Sequence, residues 1–386
     1  MDALLTGPVS PFGPEHEELR ASIRGFVERE LQPHAAEWEA ARSFPDDVFR
    51  KLAEHGFLGL KFPESVGGQG GTHLHEAVFV EELAGCHSGG VAAGIGAHCE
   101  IASSPVFTFG TPDQHERYLR PAIAGEQVAA LAITEPGAGS DVASLRTTAT
   151  KVDGGWTVSG EKTFITNGVR AGFYVTAVRT TPEGGHGGIS FLIVDRQDAI
   201  DARPLEKLGW HASDTAIVSF DEAFVPEENL LGELNGGFKL IMANFAWERL
   251  TMALGAVAAM QRTLDQTIAY TKEREAFGRS LTGFQVTRHT LADLRAAVHV
   301  ARCVTYDALQ RFVDGDPGTT EAVAIAKLHT QRAACDLVDA CLQLHGGAGY
   351  MAEVGIERAF RDARLGPIGG GTDEIMREII SKLMAL

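Results

Sequence analysis

A chain of 386 residues, 44% of them hydrophobic, is long enough to build two or three domains or layers around sizeable cores. Its 34 basic and 51 acidic residues leave a formal net charge of −17, which repels phosphate backbones and anionic lipid and argues against nucleic acid or membrane as a partner. The five cysteines, Cys86, Cys99, Cys303, Cys335 and Cys341, show no paired or metal-type spacing and fit free thiols in a reducing compartment.

The start, Met1-Asp2-Ala3-Leu4-Leu5-Thr6-Gly7-Pro8, has no basic n-region and no long apolar run. No signal peptide, transit peptide or membrane span is expected, and the expected location is cytoplasmic. Residues 1–121 read as a helical region. Leu19, Ile23, Phe26, Val27 and Leu31 mark one helix face, with Pro33 as its expected end. A second amphipathic segment runs from Asp46 to His55 and stops at Gly56; a short helix is expected over Gln114 to Leu119, before Pro121.

Residues 122–234 change period. Trp156 and Val158 alternate with polar neighbours after the Asp153-Gly154-Gly155 turn, as a hairpin requires. Phe173 to Val178, Ile189 to Val194 and Ala216 to Phe220 are further strand-like runs, which makes this a compact β domain of at least five strands. Residues 235–386 return to helical patterning. A long helix enters at Asn235-Gly236-Gly237 and runs to about Glu273; others fit Gln285 to Val313, Thr320 to Leu344 and Asp373 onward. The expected fold is therefore α+β and multidomain: an N-terminal helical domain, a middle β domain, and a C-terminal α domain resembling a four-helix bundle.

Four stretches carry chemistry-bearing residues. Ala132-Ile133-Thr134-Glu135-Pro136-Gly137-Ala138-Gly139-Ser140-Asp141 is a glycine-rich loop of the kind that lets backbone N–H groups approach phosphate oxygens. On composition alone Glu135-Pro136-Gly137 reads equally as a β-turn. Lys162-Thr163-Phe164-Ile165-Thr166-Asn167-Gly168 is an aromatic and Thr alternation that β propensity by itself favours. Arg274-Glu275-Ala276-Phe277-Gly278 with Gln285 forms the third. Gln343-Leu344-His345-Gly346-Gly347-Ala348-Gly349-Tyr350 with Arg361-Asp362-Ala363-Arg364 forms the fourth.

Together, in this order and spread over the whole chain, these segments resemble the acyl-CoA dehydrogenases. So does Gly366-Pro367-Ile368-Gly369-Gly370-Gly371-Thr372-Asp373-Glu374-Ile375, apart from one departure: where many relatives carry a Glu before the Gly-Thr pair, this chain has Gly370. The resemblance implies FAD as cofactor. It implies that Thr134 and Ser140 bond the cofactor or the pantetheine arm, that Phe164 covers a face of the flavin ring, and that Thr166 meets flavin N5. It further implies that Arg274, Phe277 and Gln285 hold the pyrophosphate and adenosine side across a subunit interface. Gln343, Gly346 and Gly347 would share in that site, and Thr372 and Glu374 would lie near the phosphate and ribitol. One flavin site would then need two chains, in a homo-oligomer expected to be a dimer of dimers.

A base must replace the missing acid. Removing an α-proton from a thioester needs a carboxylate in a dry pocket that raises its pKa. Glu248, in Asn244-Phe245-Ala246-Trp247-Glu248-Arg249-Leu250, is flanked by apolar residues on a helix. A subset similar to the isovaleryl and long-chain enzymes carries its base at the Glu of such a Glu-Arg pair and has a small residue where Gly370 stands. The implied reaction forms a trans-2-enoyl-CoA, with Glu248 as base, the Gly370 N–H polarising the thioester oxygen, and Ser140 and Arg249 near the substrate. The glycines 369–371 suggest room for a bulky or branched chain. Glu353 is expected in an interhelix ion pair; His211 and His345 carry no assigned role. Electron-transfer flavoprotein is the expected acceptor. An acyl-CoA oxidase or an acyl-ACP dehydrogenase on the same scaffold is the alternative, and a related flavin monooxygenase another. A non-catalytic DNA-associated flavoprotein is less favoured because it wants a basic surface.

Overall fold

The computed structural model describes residues 10–182 and 184–386, so the reading of the first eight residues lies outside the described residues. Helices occupy the chain up to residue 123, strands follow to 231, and helices fill the rest.

The first helix, α1 (Pro14–Phe26), has Pro at its first turn and buries Ile23 and Phe26. It does not end at Pro33 as expected. The chain passes through a wide turn, Val27–Leu31, and a tight one, Gln32–His34, straight into α2 (Ala35–Ala41). Proline lacks an N–H and crowds the preceding turn; here the backbone absorbs that by changing turn width rather than by leaving the helical path. Then α3 (Asp47–Glu54) places Val48, Phe49 and Leu52 inward and stops at Gly56, whose φ of 75° suits a residue without Cβ. After it come α4 (His73–Leu83), capped by Thr72, and α5 (Gly89–Gly96), capped by Ser88, with a wide turn over Ala97–Ala102. Finally α6 (Ser103–Phe109), α7 (Pro112–Gln114), a wide turn at His115–Leu119 and α8 (Arg120–Ile123) close the region. Pro121 sits within α8 rather than after the helix, again following a widened turn.

The middle region is one sheet of eight strands: β1 (Ala129–Ala132), β2 (Thr148–Val152), β3 (Gly155–Thr166), β4 (Phe173–Arg179), β5 (Ile189–Asp195), β6 (Ile200–Pro204), β7 (Thr215–Pro226) and β8 (Leu230–Leu231). The order is β6-β7-β3-β2-β4-β5-β8, with β1 parallel beside β4. The expected hairpin is β2–β3, closing at Val152 opposite Gly155. Strand β4 is buried from Phe173 to Val178 because both its faces are covered, which is why its sequence shows no alternation. One face holds Trp156, Val158, Tyr174, Val194 and Val218; the other, with Phe173, Phe191 and Ile193, packs on Tyr118 and on Leu240 and Ile241 of the C-terminal region.

The C-terminal region is built on α9 (Gly237–Glu273), 37 residues and so about 55 Å long. Helices α10 (Gln285–Asp314) and α11 (Thr319–His345) pack beside it, followed by α12 (Ile356–Ala363) and α13 (Asp373–Leu383). Between α9 and α10 the chain forms a small ribbon, β9 (Glu275–Ala276) and β10 (Arg279–Ser280). Its tip is Phe277-Gly278, both with positive φ, and the Phe277 ring is 95% exposed. Core contacts between Val80 and Ala77 of α4 and Trp247, Leu250 and Leu254 of α9 tie the two helical regions together. Among the described residues no helix is long and apolar enough to cross a membrane, and all five cysteines are free thiols.

Candidate active site

Where the three regions meet lies a cavity of about 1510 Å³. Its walls bring together Thr134, Ser140, Phe164, Thr166, Glu248, Arg249, Gly370 and Thr372, residues scattered over 239 positions of sequence.

The sheet supplies one wall. Glu135 is 7% exposed and pairs with Lys162, which is fully buried; Lys162 Nζ donates to Glu135 Oε1 at 2.8 Å and to the Ile133 carbonyl at 3.0 Å. Glu135 also accepts from the backbone N–H groups of Arg146 (2.6 Å) and Thr147 (2.9 Å), and these cations and dipoles hold its carboxyl below the usual range despite burial. The loop is therefore both a turn, closed by Glu135 and Ala138, and a fixed platform that presents Thr134, Gly139 and Ser140 to the cavity. On β3 the register against β7 slips between Lys162 and Ile165. Phe164 sits in that irregularity with φ of 60° and 68% of its surface exposed, aimed into the cavity rather than into the sheet. Thr166 lies at the strand end beside it, and Asn167 anchors that end to α5 through the Gly94 carbonyl at 2.8 Å.

Helix α9 supplies the opposite wall. Glu248 is mostly buried; its Oε2 has no hydrogen-bond partner, and burial pushes its pKa up to about 7, with Arg249 and then Lys327 pulling weakly the other way. Gly370, at φ of 61°, faces it. A Cβ built on Gly370 would stand 3.7 Å from Glu248 Oε1 and 2.5 Å from Met252 Sδ. The carboxylate thus reaches the space that a side chain at 370 would enter. Three side chains pin the glycine run: Arg249 Nε donates to the Gly370 carbonyl (3.1 Å), Lys327 Nζ to the Gly371 carbonyl (2.5 Å), and Thr372 caps α13. No hydrogen bond engages the Gly370 N–H among the described residues, so it is free to donate into the cavity.

Of these glycines only Gly369 leaves its Cβ position open, with no neighbour nearer than 3.7 Å. Met252 fills the space beside Gly370, and Met376 lies 2.9 Å from a Cβ at Gly371, so flexible thioethers occupy what the missing side chains leave. Glu353 is exposed at the cavity rim; the ion pair nearby is Glu357–Arg361 (2.8 Å) instead. Asp373 is buried against Arg332. His211 bonds the Lys207 carbonyl, and His345 bonds the Cys341 carbonyl and stacks on Tyr270, so both are structural.

Other predicted residues lie elsewhere. Arg274, Gln343, Gly346 and Gly347 line a separate recess of about 430 Å³ with Tyr270, and it shares no residue with the large cavity. Phe277 and Gln285 are exposed beyond it, and Glu374 points outward from α13 beside Arg377 (3.6 Å). Two buried groups were not read from the sequence, of which Lys327 lies behind the glycine run and Glu100 lines the cavity. Lys327 is fully buried, and burial lowers its pKa to about 8. Glu100 is 5% exposed and raised to about 8, by burial and then by neighbouring Glu76. A lone Lys inside the apolar stretch of α11 was the available signal for the first.

The residues present fit a flavin: an exposed aromatic ring held open by an irregular strand, a hydroxyl next to it, and a glycine floor opposite. Residues 13–126, 130–223 and 235–385 match the family descriptions for the N-terminal, middle and C-terminal domains of acyl-CoA dehydrogenase. The long-chain specific acyl-CoA dehydrogenase of Mus musculus is 36% identical over 96% of this chain and 86% of its own length. The isovaleryl-CoA dehydrogenase of Oryza sativa is 35% identical over 96% of this chain and 91% of its own. A crystal structure of a probable acyl-CoA dehydrogenase from Mycobacterium abscessus superposes with a TM-score of 0.94 at 44% identity, covering 96% of this chain and 99% of that one. This chain belongs to the acyl-CoA dehydrogenase family of FAD-dependent oxidoreductases.

Proposed function

We propose that this chain converts an acyl-CoA thioester to a trans-2-enoyl-CoA, with Glu248 as the base that takes the α-proton. The observation that carries this is the 3.7 Å approach of Glu248 Oε1 to the Cβ position of Gly370, in a cavity that leaves the other carboxylate oxygen unpaired. A carboxylate so placed is desolvated and poised near neutrality, as proton abstraction requires. FAD, when bound, supplies the acceptor for the β-hydride. The chain's own residues do the rest. The Gly370 N–H donates to the thioester oxygen as charge builds there. Arg249 and Lys327 hold the glycine run by its carbonyls so that this N–H stays aimed. Thr134, Ser140, Phe164, Thr166 and Thr372 form the cofactor's bed.

Arg274, Gln343, Gly346 and Gly347 take the far end of a cofactor bound mainly by a second copy. Tyr270, beside that recess, is 22 residues along α9 from Glu248, about 33 Å, which is more than one dinucleotide spans. A homo-oligomer follows from this reading, and electron-transfer flavoprotein is the electron acceptor we propose by likeness to the family. Anaerobic addition of acyl-CoA should bleach the flavin of the wild type, and Glu248→Gln should slow bleaching by about a thousandfold. Undiminished bleaching by the variant would remove Glu248 as the base. Peroxide formed in step with aerobic turnover would favour an oxidase instead.

A further inference from the structure

Beyond the reacting centre, α9 offers the cavity Met252, then Gly255 and Ala256, then Ala259, one turn after another on the face that carries Glu248. The facing wall is Ala92, Ala93, Gly96 and Ala97, with Val80 and Leu83 of α4 between. This arm is lined largely by small side chains, with the buried Glu100 carboxyl, 3.2 Å from the Cβ position of Gly96, and Thr251 also in its wall.

Gly255 stands out because nothing local requires a glycine there. It lies in the interior of a 37-residue helix, where glycine weakens the helix. Its φ is not positive. No other chain segment presses against it: a Cβ at this position would meet only Val80 Cγ1, at 3.8 Å, an ordinary contact. Gly370, by contrast, has both a left-handed φ and a crowded Cβ position. What a larger side chain at 255 would enter is the arm itself. Gly255 is about 10 Å along the helix from Glu248, and Ala259 about 16 Å. Past Ala259 the lining includes Met260, Arg262, Thr263 and Gln266, with His87.

We propose that Gly255 holds open an acyl arm for long unbranched chains and that residues 255 and 259 act as successive length stops when enlarged. The proposal rests on the dehydrogenase reading above and names its substrate class. A short acyl group leaves the arm's apolar walls unfilled, whereas each added methylene of a long chain is buried along them. The test is kcat/KM of the flavin-loaded enzyme for butyryl-, octanoyl-, dodecanoyl- and palmitoyl-CoA with a dye acceptor. The wild type should rise with length to dodecanoyl-CoA or beyond. In Gly255→Leu the dodecanoyl-to-butyryl ratio should fall by about tenfold or more. In Ala259→Leu the palmitoyl-to-octanoyl ratio should fall while the octanoyl-to-butyryl ratio holds. Should Gly255→Leu fail to retain flavin, Gly255→Ala, which suits the helix, must still lower the dodecanoyl-to-butyryl ratio. A wild type that favours butyryl-CoA, or ratios unmoved in folded variants, overturns the proposal. If no ester bleaches the wild-type flavin, the dehydrogenase reading itself falls, and this inference with it.

Discussion

Glu248 joins two opposed requirements in one side chain. Burial raises its carboxyl from the ordinary 4.5 to about 7, so the folded chain binds that proton more tightly than the unfolded chain does. For catalysis the base must be ionised: kcat/KM should climb with pH to a plateau above about 7, and a profile flat from pH 5 to about 9 would dissociate turnover from this group. For stability the sign is reversed. The contribution is fully favourable below about pH 4.5 and is lost as pH rises through 7, leaving a buried charge that costs at most about 3 kcal/mol at alkaline pH. Glu248→Gln should therefore melt higher than wild type at about pH 8.5 and equally at about pH 4.5. A lower melt at the alkaline pH would mean that Arg249 and Lys327 more than offset the desolvation. The pairing of a gained Glu248 with a lost side chain at 370 was legible in the sequence. The role of Met252 was not, because no periodicity says which methionine folds back over which glycine.

At the scale of elements, the glycine-rich loop depends on an ion pair hidden beneath it. Lys162 has no exposure and Glu135 almost none, so neither charge can be left alone cheaply. Lys162→Met should destabilise the fold by about 3 kcal/mol in denaturant titration, because Glu135 keeps its two backbone donors but loses its cation. A loss below about 1 kcal/mol would show water replacing the lysine. Buried strands such as β4 and β5, and the long helices α9 to α11, could be read within a residue or two, since apolar runs and helical periodicity report directly on burial. The proline positions misled. Pro33 and Pro121 predict helix ends from local sterics, but packing of Leu31, Tyr118 and Leu119 into the core holds the chain on a helical course through widened turns. The ribbon around Phe277 left no trace, since two-residue strands carry no period.

For the whole molecule, the separation of the Arg274 recess from the large cavity shapes the remaining expectation. On the proposed reading the Arg274 guanidinium grips a cofactor belonging mostly to a neighbouring chain and adds nothing to its own chain's core. Arg274→Met should thus leave the melting curve of the flavin-free protein within about 0.5 kcal/mol of wild type. It should weaken FAD retention about tenfold or more, read by flavin fluorescence released on gel filtration. Retained flavin in that variant would place the pyrophosphate elsewhere. The sequence by itself determined the order helical, sheet, helical, the identity of the loops facing the cavity and the candidate base, because propensity, period and motif are local properties of the chain. Tertiary structure alone decided that Glu248 reaches the Gly370 space, that Met252 fills it, and that Gly255 lines the same cavity beyond. Those facts are distances between segments far apart in sequence, and only close packing of α5, α9 and the glycine run fixes them.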